Sequence, residues 1–273
     1  MKLAPIISAG LALCMAACGG GGGDYSGGRG DSYSSVVQQA DEARKAGAFG
    51  EAVPLYGRAL QLNPDGAEAK LGLGQSFLSL GAGDEAAAQF RDVLARHSGD
   101  TVARRGLASA LLSMGQASLA VSQLATVLEA DPNDYRAMNA MGIALDMQGQ
   151  HEEAQARYRQ GIALAPDFVA LRSNIGLSLA ISGRGQEAVA QLAPIATGRG
   201  ADGRVRQNLA FAYAMAGDPT NALTVSRHDL TEASAQRQLA YYLMLKNLPL
   251  SARSAEIRRN PNFFPRSTAT AGS

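Results

Sequence analysis

The sequence predicts an all-α solenoid of about six helix-turn-helix units, closed at its C-terminal end by a capping helix. Two observations predict this fold: glycines recur at intervals of 34 residues, and alanines keep the same interval five residues after each glycine. The glycines are Gly47, Gly81, Gly115, Gly149, Gly183 and Gly217, and the alanines are Ala52, Ala86, Ala120, Ala154, Ala188 and Ala222. A period of about 34 residues is typical of stacked helical repeats.

The glycine of each unit is expected to form the turn between two antiparallel helices, A before it and B after it. Glycine takes the left-handed conformation without steric cost, so it ends helix A and lets the chain reverse. The alanine, together with a second small residue seven positions before the glycine, is expected where A and B cross. That second position holds Ala40, Gly74, Ala108, Gly142, Gly176 and Ala210.

Larger apolar residues form one stripe along each helix. In A they flank the small residue, as Leu73, Leu107, Met141, Ile175 and Leu209 before it and Phe77, Leu111, Leu145, Leu179 and Tyr213 after it. In B they lie four residues beyond the alanine, as Tyr56, Phe90, Leu124, Tyr158 and Leu192. Pro64, Pro132 and Pro166 are expected to end helix B before the next unit. Together these features resemble the tetratricopeptide repeat, in six units over residues 33–236.

Both ends of the array depart from the repeat pattern. Gln39 stands in the first unit where apolar bulk is usual, and Ser226 and Asp229 make the last helix B more polar. A terminal repeat faces water on one side, so polar residues are expected there. Residues 237–250 fit a final capping helix, and residues 251–273 are expected to form a flexible tail.

The N-terminal segment has the pattern of a secretory signal peptide, residues 1–17. Lys2 precedes an apolar run that is too short to span a bilayer as a helix. The following Met15-Ala16-Ala17-Cys18 resembles the lipobox of bacterial lipoproteins, which implies that Cys18 is lipidated and becomes the new N-terminus. Cys14 fits less well because it follows the bulky Leu13. An ordinary secretory signal, or a cytosolic protein with an apolar start, are the alternatives.

Residues 18–35 are rich in glycine and serine and predict a tether with a mean reach of about 20–25 Å. In the lipoprotein family an Asp after the lipidated cysteine tends to retain the protein in the inner membrane. Gly19 stands there instead, which favours the outer membrane of a Gram-negative bacterium, with the repeats facing the periplasm. The tripeptide Arg29-Gly30-Asp31 in this segment is interpreted as coincidence.

Motifs that would indicate catalysis, metal binding or a nucleotide cofactor do not emerge from the sequence. His97, His151 and His228 lie in different units without a second ligand nearby, so no metal site is predicted. The string Gly198-x-Gly200-x-x-Gly203 follows a predicted helix, whereas a dinucleotide site needs a strand there. No segment outside the repeats is long enough to bury a catalytic core, so we expect a non-enzymatic protein without a cofactor. The balance of 25 basic and 24 acidic residues argues against bulk nucleic-acid binding.

The resemblance to tetratricopeptide repeats implies that the A helices line a concave groove that binds protein partners. The candidate groove residues are Arg105, Arg136, Asn139, Asp146, Asn174, Arg204, Asn208 and Phe211. Asparagine amides can bond the backbone of an extended peptide, and arginine can hold a carboxylate with two hydrogen bonds. The set lacks the full two-carboxylate clamp of chaperone cofactors. A structural alternative is that Asn174 and Asn208 only solvate or brace their helices.

The last repeat carries a more specific pattern. Residues 204–210 read Arg-Val-Arg-Gln-Asn-Leu-Ala, and Ala216-Gly217-Asp218, Asn221-Ala222, Arg227 and Asp229-Leu230 follow. This pattern resembles TadD-type lipoproteins of the tight adherence (Flp pilus) assembly system. The resemblance implies a pilotin-like adaptor whose partners are a secretin or other pilus assembly components, with the membrane contacted through the lipid anchor. The alternative is a general tetratricopeptide lipoprotein that assists outer-membrane protein assembly or exopolysaccharide export.

Overall fold

The computed structural model describes residues 32–197 and 202–260, which form fourteen α-helices and no strand. The predicted signal peptide, Cys18 and most of the tether lie outside the described residues. So do residues 198–201 and 261–273. The fold prediction is confirmed for the described part of the chain, because twelve of these helices form six antiparallel A–B pairs.

Six A helices alternate with six B helices along the chain. The A helices are α1 (Tyr33–Lys45), α3 (Ala67–Leu80), α5 (Thr101–Ser113), α7 (Tyr135–Met147), α9 (Val169–Ile181) and α11 (Gly203–Ala216). The B helices are α2 (Phe49–Leu62), α4 (Gly83–Arg96), α6 (Ala117–Ala130), α8 (His151–Leu164), α10 (Gly185–Ala196) and α12 (Pro219–Ser226). Two further helices follow, α13 (Glu232–Asn247) and α14 (Leu250–Arg259).

The turn glycines adopt the conformation that their spacing predicts. All six have positive φ, between 75° at Gly115 and 88° at Gly217. Aspartates cap the N-termini of several helices; the Asp100 and Asp134 carboxylates, for example, accept hydrogen bonds from backbone amides 2.8 Å away in the first turn. Such caps satisfy donors that a helix start leaves free.

The small residues lie at the helix crossings, as predicted. All six repeat alanines of the B helices are at most 1% exposed. A Cβ added at Gly142 in α7 would lie 2.4 Å from the ring of Tyr158 in α8, and one added at Gly176 in α9 would lie 2.4 Å from Leu192 in α10. The large residue of B therefore fills the space that the small residue of A leaves open.

The same large residues also join successive repeats. The Tyr56 ring of α2 lies where a Cβ at Gly72 in α3 would be, 2.3 Å away, and the Phe90 ring of α4 is placed in the same way on Gly106 in α5. Each ring is thus wedged between its own A helix and the next one. The resulting core runs continuously from the second repeat to the C-terminal helices, whereas the first repeat centres on a smaller separate cluster.

The C-terminal end differs from the prediction. In place of one capping helix over 237–250 and a flexible tail from 251, the structure has α13 and α14, separated at Leu248-Pro249. Residues 251–259 are therefore helical. The sequence pattern misses α14 because only Arg253, Ser254 and Ile257 are buried in it, and two of these are polar.

One side of the array is formed by the A helices alone. Successive A helices contact one another, whereas no comparable contact joins successive B helices among the described residues. The A helices therefore share one side of the array, which we call the inner face. None of the helices in residues 32–197 and 202–260 has both the length and the apolar content that crossing a bilayer requires.

Candidate functional site

Asparagines on the inner face brace neighbouring A helices. Asn174 Nδ2 of α9 donates to Asn139 Oδ1 of α7 at 2.8 Å, and Asn208 Nδ2 of α11 donates to Ser173 Oγ of α9 at 3.1 Å. Asn174 and Asn208 stand at equivalent positions of consecutive repeats, and each bonds a residue 35 positions earlier in the preceding A helix. Both are 6% exposed. The geometry therefore favours the bracing role for these two amides over the binding role.

Arginines on the inner face have three different environments. Arg105 of α5 forms an ion pair with Asp134, the cap of the next A helix, and its side chain is 25% exposed. The Arg136 guanidinium of α7 lies over the rings of Tyr135 and Phe168, 4.7 and 5.9 Å from their centroids. Arg204 of α11 is exposed.

The Tyr135 and Phe168 rings under Arg136 form a small aromatic surface between the fourth and fifth repeats. Tyr135 and Phe168 meet edge to face with their centroids 5.1 Å apart, and both are half-buried. Val169, next to Phe168, is 48% exposed. Apolar surface beside a cation suits a partner segment with an aromatic or aliphatic residue next to a carboxylate.

Two further predicted groove residues, besides Asn174 and Asn208, are not accessible. Phe211 is 1% exposed because Tyr242 of α13 packs edge to face on it, with centroids 5.0 Å apart. Asp146 is 4% exposed and belongs to a buried polar cluster. The prediction that these side chains line an open groove is wrong, because α13 covers Phe211 and Asp146 turns into a polar cluster inside the fold.

The buried polar cluster is centred on the Asp146 carboxylate at the end of α7. It accepts hydrogen bonds from His151 Nδ1 at 2.7 Å, Ser178 Oγ at 2.7 Å and Tyr158 Oη at 3.0 Å. Burial raises the pKa of Asp146, although the three donors act in the opposite direction. Burial and then the Asp146 charge raise the pKa of the Tyr158 phenol. The cluster ties the fourth repeat to the fifth.

His151 extends this cluster to the C-terminal helix. Its Nε2 lies 2.9 Å from Ser254 Oγ of α14. The order of Asp146, His151 and Ser254 is that of a serine-hydrolase relay. However, Ser254 is only 5% exposed, so a substrate carbonyl has no access to its hydroxyl in this conformation. The chain of bonds instead fastens α14 to the repeats.

Basic residues at one register of the A helices, eleven positions before the turn glycine, reach towards the B-helix side of their own repeats. Lys70 of α3 pairs with Asp92 of α4, and Arg104 of α5 donates to Gln123 of α6 at 3.0 Å. Arg206 of α11 donates to Asp229 at 2.8 Å. The sequence prediction missed these ties, although the recurrence of Lys70, Arg104, Arg172 and Arg206 at one register was a signal that could have revealed them.

Two kinds of ligand site are absent from the described residues. No set of three or more His, Cys, Asp or Glu side chains in the described residues is placed to hold a metal ion. The helical α10 before Gly203 contradicts the strand that a dinucleotide motif would need.

Comparison with known sequence families matches this architecture. Family models of the tetratricopeptide repeat match residues 37–101, 77–142 and 111–175. The chain belongs to the tetratricopeptide repeat family, whose members mediate protein–protein interactions. No curated protein sequence matches the chain.

Solved structures share the fold at low sequence identity. A thermophilic tetratricopeptide repeat protein of Thermus thermophilus is 20% identical with a TM-score of 0.56, over 78% of this chain and all of its own. A tetratricopeptide repeat protein of Parabacteroides merdae is 14% identical with a TM-score of 0.64, over 77% of this chain and 84% of its own. PilF of Pseudomonas aeruginosa is 16% identical with a TM-score of 0.60, over 77% of this chain and 97% of its own.

Proposed function

We propose that this protein is a non-enzymatic scaffold, anchored by lipid to the outer membrane and facing the periplasm, that binds partner polypeptides during assembly of the Flp pilus and tight adherence system. Its role is pilotin-like, helping the secretin to assemble or localise. The observation that carries the binding part is the accessible section of the inner face, where Arg136 lies over two half-buried rings and Arg204 is exposed.

The assignment to the Flp pilus system rests on the sequence pattern of the last repeat. Its two halves, around Arg206 and around Asp229, are joined by an ion pair, and Asn208 braces α11 against α9. These residues therefore hold the last repeat together. Arg204, at the exposed start of the same pattern, is the member we assign to the partner.

Membrane attachment rests on Cys18 and the residues before it, together with the glycine-rich segment that follows. Several acyl chains hold a protein to a membrane stably where one chain does not. The tether would give the repeats room to reach a partner in the periplasm. Localisation and partner binding are separate parts of the proposal, and each has its own test.

The binding part is tested by recovering the secretin from native membranes with the full-length acylated protein. We expect the double variant Arg136→Ala/Arg204→Ala to recover at least about fivefold less secretin than the wild type, since losing both interface arginines should cost about 1 kcal/mol or more in total. Quantitative immunoblotting of the eluate measures the recovery.

Arg91→Ala is the matched control, because Arg91 is an exposed arginine on the B helix α4, away from the inner face. Its recovery should equal that of the wild type. Equal recovery by the double variant would contradict binding at this section of the inner face. Recovery of an outer-membrane protein assembly factor or an exopolysaccharide exporter in place of a secretin would favour the alternative system.

A further inference from the structure

At one position of the A helices, the inner face is polar in the first three repeats and apolar in the last three. At the position two residues before the turn glycine, the first three repeats carry the polar Lys45, Ser79 and Ser113, and the last three carry Met147, Ile181 and Met215. Lys45 and Ser113 are exposed, whereas Ile181 is fully buried and Met215 is 6% exposed. Equivalent positions of stacked repeats lie on one side, so the inner face of repeats 4 to 6 is apolar there.

The two C-terminal helices cover this apolar section. Helix α13 packs against α11, and α14 packs against α9, which are both A helices. Tyr242 and Leu245 of α13 and Ile257 of α14 join the buried cluster that contains Ile181 and Met215. A section of the inner face is thus already occupied by a segment of the same chain.

Helix α14 binds the repeats and α13 through polar groups as well as through apolar contact. The Arg253 guanidinium donates to the Ile181 carbonyl at 2.9 Å and to the Leu245 and Leu248 carbonyls at 3.0 and 3.1 Å. Ile181 ends α9 and Leu245 lies in the last turn of α13, so the cation meets carbonyls at the negative ends of two helices. Desolvation lowers the pKa of Arg253.

Ser254 and Ile257 complete the contact. The Ser254 hydroxyl reaches His151 Nε2, the outer member of the buried polar cluster, and Ile257 is fully buried. An arginine-serine pair followed three residues later by an aliphatic residue presents all three side chains on one face of a helix. This is the helix-in-groove mode of recognition.

Several features make α14 a replaceable occupant. It has ten residues, which is too short for stable helix formation without tertiary contacts. Pro249 separates it from α13, and Ile257 is its only buried aliphatic residue. Its other large apolar residue, Leu250, is 47% exposed. The contact therefore combines specific polar groups with little apolar burial, so a longer partner helix with more apolar residues would compete well.

We infer that the inner face of repeats 4 and 5 is a docking surface for an amphipathic helix of a partner protein, carrying an arginine-serine pair and an aliphatic residue three positions after the serine. Helix α14 occupies this surface until the partner displaces it. The inference rests on the proposed scaffold function, and it adds the chemistry of the partner segment and a mechanism that restricts access to it.

The test uses the full-length chain with Ile257→Asp, which places a carboxylate in the apolar contact and releases α14. The probe is a fluorescently labelled synthetic peptide of residues 249–260. We expect the probe to bind this variant at least about tenfold more tightly than the wild type, measured by fluorescence anisotropy. A probe that itself carries Arg253→Ala should lose that binding, because it lacks the group that meets the helix ends.

Ala252→Asp is the matched control, because it adds the same charge on the exposed side of the same helix. This variant should bind the probe as weakly as the wild type does. Equal binding of the probe by the wild type and the Ile257→Asp variant, or no binding by either, would overturn the inference.

Circular dichroism reports whether Ile257→Asp keeps the helix content of the wild type. If it does not, Arg253→Ala replaces it, since this change removes the polar anchors without placing a charge in the core. The same tenfold gain is expected, and equal binding again overturns the inference. The peptide assay needs no secretin, so its outcome is independent of whether the proposed pilus function holds.

Discussion

Lys70 shows how one residue can link two helices of a repeat. Its side chain is 6% exposed, and its ammonium group pairs with Asp92, whose side chain is 49% exposed. A buried cation needs such a partner because desolvation of an unpaired charge is costly. The sequence predicted the helices that carry these residues but not the pair, since a charge at one register does not reveal which neighbour it meets.

The Lys70 ion pair predicts a dependence of stability on pH. The hydrogen bond from Lys70 lowers the pKa of Asp92 below its usual 3.8. A depressed pKa in the folded state adds stability above the unfolded-state value, which is lost as the pH falls through the folded-state value. Asp92→Asn should therefore cost about 1 kcal/mol at pH 7, and its difference from the wild type should shrink below pH 3.8.

Thermal unfolding followed by circular dichroism between pH 2.5 and 7 measures this difference, on the order of a few degrees in Tm. Glu129→Gln is the control, because Glu129 is exposed on the B helix α6 and the described structure records no ion pair for it. A constant difference between Asp92→Asn and the wild type over the whole range would contradict the role of the ion pair.

Asp146 and His151 mark the limit of prediction at the residue scale. The sequence places them five residues apart on either side of Gly149, which indicates proximity. The hydrogen bond between His151 and Ser254 spans more than 100 residues, and no sequence pattern predicts it. The groove prediction therefore assigned Asp146 to the accessible surface, although the folded chain buries it among His151, Tyr158 and Ser178.

At the scale of helices, the prediction succeeds where side-chain size and the 34-residue period determine the structure. The A and B helices follow from glycine at the turn and from small residues at the crossing, because both requirements are local and repeat in every unit. Helix α14 does not follow, because its contacts are polar and its partners come from distant repeats. Its first residue, Leu250, was predicted as the end of the cap and its other residues as part of the flexible tail.

The crossing between α7 and α8 gives an element-scale prediction. Ala154 is fully buried there, so Ala154→Leu must overpack the contact or push the helices apart. We expect the free energy of unfolding to fall by about 1–3 kcal/mol. Urea denaturation monitored by circular dichroism measures the change.

Ser122→Leu is the control for this substitution, because Ser122 is exposed on the B helix α6. An exposed change of this kind is expected to alter the free energy of unfolding by no more than about 0.5 kcal/mol. Equal destabilisation by the two leucines would contradict the assignment of Ala154 to a helix crossing.

At the scale of the whole molecule, the repeats are one part of a chain whose N-terminal region carries the predicted lipid anchor. The repeats account for binding, and the segment before Ser32 would account for location. The proposal places the lipid anchor on the Cys18 thiol, so Cys18→Ser should move the protein from the membrane fraction to the soluble fraction. Ultracentrifugation of cell lysates with immunoblotting measures this shift.

Cys14→Ser is the matched control for Cys18→Ser, since it changes the other cysteine, and it should leave the protein in the membrane fraction. Detergent-dependent membrane association of Cys18→Ser at the wild-type level would count against lipidation at this residue. It would leave the repeat fold and the peptide experiment unaffected.

The hairpin of α13 and α14 braces repeats 4 to 6, whereas among the described residues the first repeat has its neighbour and a small core of its own to hold it. In a stack where each unit depends on the next, mechanical load applied at one end is resisted first by the unit at that end. A pull transmitted through Ser32 would therefore unpeel the first repeat before any unit under the hairpin. The N-terminal repeat would therefore unfold under load while repeats 4 to 6 kept their fold.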